Sequence, residues 1–508
     1  MLLLALLLIF SIVIYLYTTR NHNYWAKRGV RHDPPVPFFG NHFRNVFGLK
    51  SIIELSVELY NKYPNEKVVG YYRGTEPELI VRDLDIAKNI LIGDFVYFHH
   101  RGLGRNTDLE PLLRNLFHVD GDAWKLLRKR LTPAFTTAKL KAMFPLVINC
   151  AEKMKSVAGE YAGRGGECDV RELMARFSTE FIGACGFGIQ MDTINNECSL
   201  FRELGRLIFT RQGLSLVAIG LWDLLPELRK YLRLPSSSVE ATITEIYEKI
   251  RDQRNGKPCG RNDFVDLLLE LKQKGVIEGE SIDRFNVDGT PVQVQLEMDT
   301  KCIVAQMFVF FAAGFETSSS ATSYTLHQLA FHQEIQKEIQ CEIDEVLSRH
   351  DNKLCYDAIL EMPLLTMAFK EALRMFPSLG NLHRVCTRSY TIPELGITID
   401  PGVRIIIPAQ AIQNDAKYFD DPSEFRPKRF AKDSEIKKFS FLPFGAGPRN
   451  CIGARLGEMQ SLAGLAAILH KFSVEPAPST VRKLRVKHTQ NVVQGVEGGL
   501  PLLIKERK

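Results

Sequence analysis

One ten-residue stretch constrains this chain more than any other: Phe444-Gly445-Ala446-Gly447-Pro448-Arg449-Asn450-Cys451-Ile452-Gly453. It presents a lone thiol at the end of a glycine-rich loop. An amphipathic pattern from 452 to about 472 predicts a helix immediately afterwards. Each fixed position has a physical task. Gly447 and Gly453 lack Cβ atoms, so the backbone can turn sharply and lie close against a flat ligand. Arg449 offers a planar fork of donors suited to a carboxylate. Phe444 walls the sulfur off from water. A single cysteine in a turn is usually a buried structural residue. Here the whole spacing, F-x-x-G-x-R-x-C-x-G, argues instead for a thiolate that holds a ligand.

Length and composition fit one large domain behind an apolar leader. The 508 residues are 45% hydrophobic and 24% charged, enough for one large core. No Gly/Ser- or Pro-rich linker divides the chain after residue 40, and neither an internal repeat nor a low-complexity tract is present. Residues 1–17 form a nearly unbroken apolar run, at the short end of what spans a bilayer. Arg20, Lys27, Arg28 and Arg31 follow, which places the downstream side in the cytosol. A cleaved signal peptide is the rival reading; the missing basic n-region and the lack of a small-x-small cleavage site stand against it. Pro34-Pro35-Val36-Pro37 then reads as a stiff, extended connector. The expected organisation is a transmembrane anchor over 1–19, a basic linker and proline hinge over 20–39, and one domain over 40–508. Ten cysteines are scattered without a C-x-x-C pair. That excludes a zinc ribbon or a disulfide framework and fits reduced thiols facing the cytosol. A modest net charge of +6 gives no ground for a nucleic-acid partner.

Three further stretches carry chemistry. Trp124 and Arg128 stand at i and i+4 on a predicted helix, so an indole N–H and a guanidinium can reach one anion. Taken alone, such a pair is more often surface packing. Residues 300–329 predict one helix about 45 Å long, apolar in its first half. Ala313-Gly314-Phe315-Glu316-Thr317-Ser318-Ser319-Ser320 then intrudes with residues that suit a helix interior poorly. Hydroxyl-to-backbone bonds there are expected to open the hydrogen-bond ladder, with Gly314 leaving room for a small ligand. Thr317 supplies a hydroxyl and Glu316 a carboxylate, together a candidate proton relay. The competing reading is a seam of small residues between packed helices. Residues 363–376 predict a helix opened by Pro363 and stopped by Pro377. It pairs Glu371 with Arg374 at i and i+3, a spacing that usually makes a solvated bridge worth about 0.2–0.5 kcal/mol. Strand-like runs follow at 397–399 and 403–407.

Together these motifs resemble the cytochrome P450 haem-thiolate monooxygenases, and the resemblance runs from end to end. The cysteine loop matches that family's signature. Residues 313–318 resemble its oxygen-activation motif, and Pro427-Lys428-Arg429-Phe430 is similar to its P-E-R-F segment. The segment 262–272 and the loop context read most like insect family-6 microsomal members, which are related to vertebrate family-3 drug oxidisers. The resemblance implies a mostly α fold with small β-sheets. It implies an N-terminal anchor in the endoplasmic reticulum membrane and a catalytic domain (40–508) facing the cytosol. Haem b is the implied cofactor, with Cys451 as the axial thiolate on the iron, a ligand that pushes electron density toward bound dioxygen. Trp124, Arg128, Arg384 and Arg449 would hold the propionates and Phe444 would shield the sulfur. Glu316 and Thr317 would serve oxygen activation. Glu371, Arg374 and Arg429 would form a buried structural triad. One departure is Gln413-Asn414-Asp415-Ala416, where the family often has His-x-Asp-Pro, and it puts local packing in question.

The implied reaction inserts one atom of dioxygen into a small apolar substrate. Electrons would come through a separate NADPH-cytochrome P450 reductase, with cytochrome b5 as a second candidate donor, since the chain has no dinucleotide fingerprint of its own. Pocket walls are expected at 98–117, 308–313, 378–382 and 496–501. Lys125, Arg128, Lys129, Arg130, Lys139, Lys141, Lys437 and Lys438 form an expected docking face for the reductase, although any one lysine is more often merely solvated. Two other classes stay open on sequence. One comprises relatives that rearrange or dehydrate peroxides without dioxygen, the other a non-catalytic haem carrier or gas sensor.

Overall fold

Capping and back-bonding side chains decide where the helices near the site begin and how they continue. The computed structural model describes residues 2–104, 106–196, 199–209, 231, 237–261, 263–488 and 492–507. Met1, Arg105, Asn262 and Lys508, which belong to segments singled out above, lie outside them. The longest helix, Thr300–Phe331, starts where Asp299 accepts the Cys302 N–H at 2.7 Å. It is continuous. The hydroxyls of Thr317, Ser320, Thr322 and Thr325 bond to carbonyls four residues back and leave the ladder closed. The opening expected at Gly314 therefore does not occur. Gly314 faces the neighbouring helix Val170–Ile182, where an added Cβ would overlap Cδ1 of Ile182. It also lines the cavity that holds Cys451, so its missing side chain serves helix–helix approach and cavity space alike.

The helix Pro363–Met375 has proline in its first turn, where no N–H is needed, and carries Glu371 and Arg374. The helix after the cysteine loop spans Ala454–Lys471, and its Gly464 lets the Phe177 ring pack close. Helices Thr137–Arg164, Val170–Ile182, Thr300–Phe331, Pro363–Met375 and Ala454–Lys471 share one large apolar core.

The described strands are β1 (Val68–Arg73), β2 (Glu76–Val81), β3 (Glu167–Asp169), β4 (Val276–Phe285), β5 (Pro291–Glu297), β6 (Leu382–Val385), β7 (Tyr390–Ile392), β8 (Ile397–Ile399), β9 (Arg404–Ile407), β10 (Phe472–Pro476) and β11 (Pro501–Glu506). β1 and β2 form a hairpin, β9 joins β2 in parallel, and β6 joins β9 antiparallel, pairing Arg384 with Ile405. This sheet builds a second core with Leu91, Phe98 and Leu442. The β4–β5 hairpin and the β10–β11–β3 sheet lie outside the strand regions read from sequence. The former packs across the helix Gly121–Leu131.

The cysteine loop sits on the seam between the two cores. Phe441 and Phe444 pack on the helical core, while Leu442 and Ala446 pack on the sheet core. The departure at Gln413 costs no packing, because its fully buried amide donates to the Leu373 and Arg374 carbonyls and accepts the Leu442 N–H at 2.8 Å.

At the N-terminus, Leu2–Thr19 is one exposed apolar helix with a mean hydropathy of 2.5. The region 20–39 departs from the expected linker. Trp25 is fully buried, and its indole donates to the Tyr71 carbonyl at 3.1 Å. Val36 and Gly40 exchange backbone hydrogen bonds, and Gly40 bridges to Arg73. The proline segment is thus a tight turn docked on β1. Burying a large indole against the sheet stabilises more than an extended connector could.

Candidate active site

The cysteine loop closes on itself through backbone bonds. The Cys451 N–H donates to the Phe444 carbonyl at 2.9 Å, and the Asn450 N–H to the Gly447 carbonyl at 3.0 Å. Gly447 has φ +72°, and an added Cβ would overlap the Leu91 carbonyl oxygen. Glycine is required there by the neighbouring chain as much as by any ligand. Gly453 has φ −93°, and an added Cβ would stand 3.6 Å from the Phe135 ring. The expected conformational demand is met at Gly447 and is absent at Gly453, whose N–H serves the Cys451 sulfur instead.

Cys451 has exposed surface, and that surface opens onto a cavity of about 1440 Å³ that is partly open to the outside. Burial pushes the thiol pKa up, while the Gly453 N–H and the charges of Arg101 and Arg128 pull it back. Arg101 donates to the Arg449 carbonyl at 2.8 Å, and Arg128 donates to the Asn450 carbonyl and Oδ1 at 2.8 and 2.7 Å. Two cations therefore hold the loop at the two residues that precede the sulfur. A thiol so placed ionises readily once a metal cation coordinates it.

Three arginines converge beside the loop. Arg449 donates to the His99 and Val119 carbonyls and to Asp120 at 2.7 Å, and its guanidinium lies 4.3 Å from the Trp124 ring centroid. Arg384 donates to the His383 carbonyl at 2.8 Å. Burial, with mutual repulsion, lowers Arg384 and Arg449 to about 9 and Arg101 to about 10. Among the described residues Asp120 is the one carboxylate hydrogen-bonded to the group, and it also takes the N–H groups of Arg101 and Gly102. Two buried donors, Arg384 Nε and Arg449 Nη1, have no partner. Each such donor costs about 1–3 kcal/mol. Excess buried positive charge with unused donors is the chemistry of a site for a ligand bearing carboxylates.

Cys451, Phe444, Arg449, Trp124, Arg128, Arg384 and Thr317 all line this one cavity. Glu316 does not. It points to the far side of its helix, where Arg171 donates to its carboxylate at 2.5 Å. Arg101 also lines the cavity and was not singled out from sequence, because it belongs to no spacing motif and acquires its role only by meeting Arg449 in space. The walls at 308–313 and 378–382 are as expected. At the other end Val492 and Val493, not 496–501, reach the cavity, joined by Ile208 and Phe209.

Behind the loop, Arg374 donates to both oxygens of Glu371 at 2.8 and 3.0 Å, and Arg429 donates to Oε1 at 3.2 Å. Glu371 and Arg374 are wholly buried. The triad is therefore assembled, with the Arg426 N–H as a further donor to Glu371 at 3.0 Å.

The comparisons with known proteins decide the family. A family model described as Cytochrome P450 matches residues 31–499. The chain is 38% identical over 508 residues to Cytochrome P450 6B7 of Helicoverpa armigera, covering 99% of this chain and 98% of the relative. The chain belongs to the cytochrome P450 family. It is also 38% identical to Cytochrome P450 6a2 of Drosophila melanogaster, covering 98% of each protein, and 37% identical to Cytochrome P450 6B1 of Papilio polyxenes, covering 94% of each. This P450 is accordingly a haem-thiolate monooxygenase of the insect family-6 type. Its own residues fit the cofactor. The cavity-facing thiol offers the iron a ligand, and the unused donors of Arg384 and Arg449 offer partners for propionates.

Proposed function

We propose that this P450 hydroxylates small, apolar, lipophilic compounds at the cytosolic face of the endoplasmic reticulum, with electrons from NADPH through a separate flavoprotein reductase. The observation that carries this reading is the apolar part of the wall of the cavity that holds Cys451. Leu112, Leu116, Phe117, Phe209, Phe308 and Val493 give a substrate apolar surface to pack against. The haem, when bound, supplies the oxidising chemistry, and the protein supplies orientation and water exclusion.

Cys451 would hold the iron, and Arg101, Arg384 and Arg449 would hold the propionates beside Trp124. Thr317 turns its hydroxyl to the cavity while donating to the Ala313 carbonyl at 2.7 Å. That hydroxyl would hold a proton at the cavity wall, where the haem would supply the oxidising chemistry. Glu316, paired with Arg171, would serve as the reservoir on the outer face of the helix. The exposed helix Leu2–Thr19, followed by Arg20, Lys27 and Arg28, supports anchoring with the body in the cytosol.

Lys129, Lys437 and Lys438 are exposed and Lys139 is half-buried; together they would meet an acidic reductase, with cytochrome b5 as a second donor. Lys125 and Arg130 contribute less, because they donate to the Ser281 and Glu278 carbonyls of the β4–β5 hairpin. The test is full-length protein reconstituted with reductase and NADPH and incubated with a panel of apolar compounds. Products heavier by one oxygen atom are expected. NADPH-dependent turnover confined to charged or strongly polar compounds would contradict the reading.

A further inference from the structure

His99, His100 and Asp283 converge on the outer side of the arginine cluster, and nothing above uses their side chains. Among the described residues they are the one group of three metal-ligating side chains whose ligand atoms all lie within 4.8 Å of one another. The histidines immediately precede Arg101. Asp283 belongs to β4, in the hairpin that packs across Gly121–Leu131.

The hydrogen bonds of His99 point to a cation. Its Nδ1 lies 3.0 Å from the Val96 carbonyl and its Nε2 lies 3.0 Å from Asp283 Oδ2. A carbonyl can only accept, so Nδ1 carries the proton. The neutral ring then aims the Nε2 lone pair at a carboxylate oxygen, two acceptors face to face. Positive charge must stand between them or on the ring. A metal-bound histidine characteristically donates its other N–H to a backbone carbonyl, as His99 does to Val96.

The other two groups fit the same point. His100 packs edge-on to His99, with ring centroids 4.4 Å apart at 81°. It brings a second imidazole to the site, and its ring has no hydrogen-bond partner among the described residues. Arg388 lies 3.6 Å from Asp283 Oδ1 and donates to the Asp283 carbonyl at 3.1 Å. It orients the carboxylate and leaves Oδ2 toward the imidazoles, although its charge also weakens the pull on a cation. A proton on His99 alone would satisfy Asp283 but would leave His100 without a task.

We propose that His99, His100 and Asp283 form a site for a divalent cation of the zinc class, distinct from the haem iron. Two imidazoles and one carboxylate, with a water as fourth ligand, suit zinc rather than magnesium or calcium. The ion would clamp the β4–β5 hairpin to the segment whose His99 carbonyl accepts Arg449 at 2.8 Å. Hairpin and propionate-binding segment would then move as one.

The experiment uses the full-length, haem-loaded protein in detergent, stripped with a chelator and re-equilibrated with zinc chloride. Metal content per haem is compared with that of His100→Ala and Asp283→Asn, both checked for an unchanged carbon-monoxide spectrum of the reduced haem. Wild type should retain one zinc more per chain than either variant. Loss of an outer-shell partner alone weakens metal sites about 10- to 100-fold, so loss of a direct ligand should weaken competition against a chromophoric chelator at least tenfold. X-ray absorption at the zinc edge should show nitrogen and oxygen neighbours. Equal zinc content in all three proteins would overturn the proposal and leave a protonated-histidine ion pair. Sulfur bonded to the zinc would assign the metal to the cysteines and overturn it equally.

Discussion

Gly447 lies against Leu91 so closely that the Leu91 carbonyl oxygen occupies the place where a side chain would begin. The left-handed backbone at Gly447 and this contact act together, and Leu91 is itself fully buried in the sheet core. Gly447→Ala should therefore abolish recovery of haem-loaded protein, since neither the loop nor the core can give way. Gly453→Ala has an ordinary contact with Phe135 and should yield holoprotein at near wild-type levels. Comparable haem incorporation by both variants would contradict this account of the loop.

Gly314 gives a second steric prediction. Gly314→Ala should destabilise the protein by about 1–3 kcal/mol through overpacking against Ile182. Ile182→Ala should recover part of that loss in the double variant. Thermal melts of the two single variants and the double one measure it. Strict additivity would mean that Gly314 faces something other than Ile182.

Glu371→Ala would leave Arg374 buried without its carboxylate and take from Arg429 one of its two, the other being Asp420. Breaking one buried pair costs about 3–5 kcal/mol, so this variant should lose most holoprotein at physiological temperature. Glu316→Ala removes a less deeply buried partner of Arg171 and should cost less. Equal melting temperatures for Glu371→Ala and wild type would refute the triad as a structural support.

The pH dependence of stability carries the mark of His383. Burial depresses this histidine from 6.5 to about 4, with Arg73 adding to the effect. Below pH 6.5 the unfolded chain takes up a proton here that the folded chain refuses until about pH 4. Stability present above pH 6.5 is therefore lost as pH falls toward 4. His383→Gln should make the acid limb of stability against pH shallower by up to about one proton. An unchanged slope would place the titration on other histidines.

Thr317→Ala should retain haem but misdirect protons, so NADPH is consumed while hydrogen peroxide replaces organic product. Stopped-turnover assays with peroxide detection read this directly. On the reductase side, Lys129→Glu with Lys139→Glu should slow haem reduction at low salt and leave the ferric spectrum unchanged. Unaltered coupling in the first case, or equal reduction rates in the second, would remove those roles.

What the sequence reveals follows how local the physics is. The cysteine loop was legible because its spacing encodes a backbone turn, a thiol and a helix start within ten residues. Glu371 and Arg374 look like any surface pair until Arg429, more than fifty residues on, is brought to them. Arg101 and Asp120 were not legible, since their charge balance with Arg384 and Arg449 exists only after segments far apart in sequence meet. Gly314 does line the cavity, but its second partner, Ile182, is on another helix and is not legible from the sequence near it. Trp25 shows the same limit: nothing near it in sequence announces the sheet that buries it.

The central claim is that Cys451, facing the cavity, is the axial ligand of the haem iron. The carbon-monoxide difference spectrum of the reduced protein tests it most directly. Wild type should show the thiolate-type Soret band, and Cys451→Ala should lose that band even in preparations that retain haem. A thiolate-type band persisting in Cys451→Ala would contradict the account.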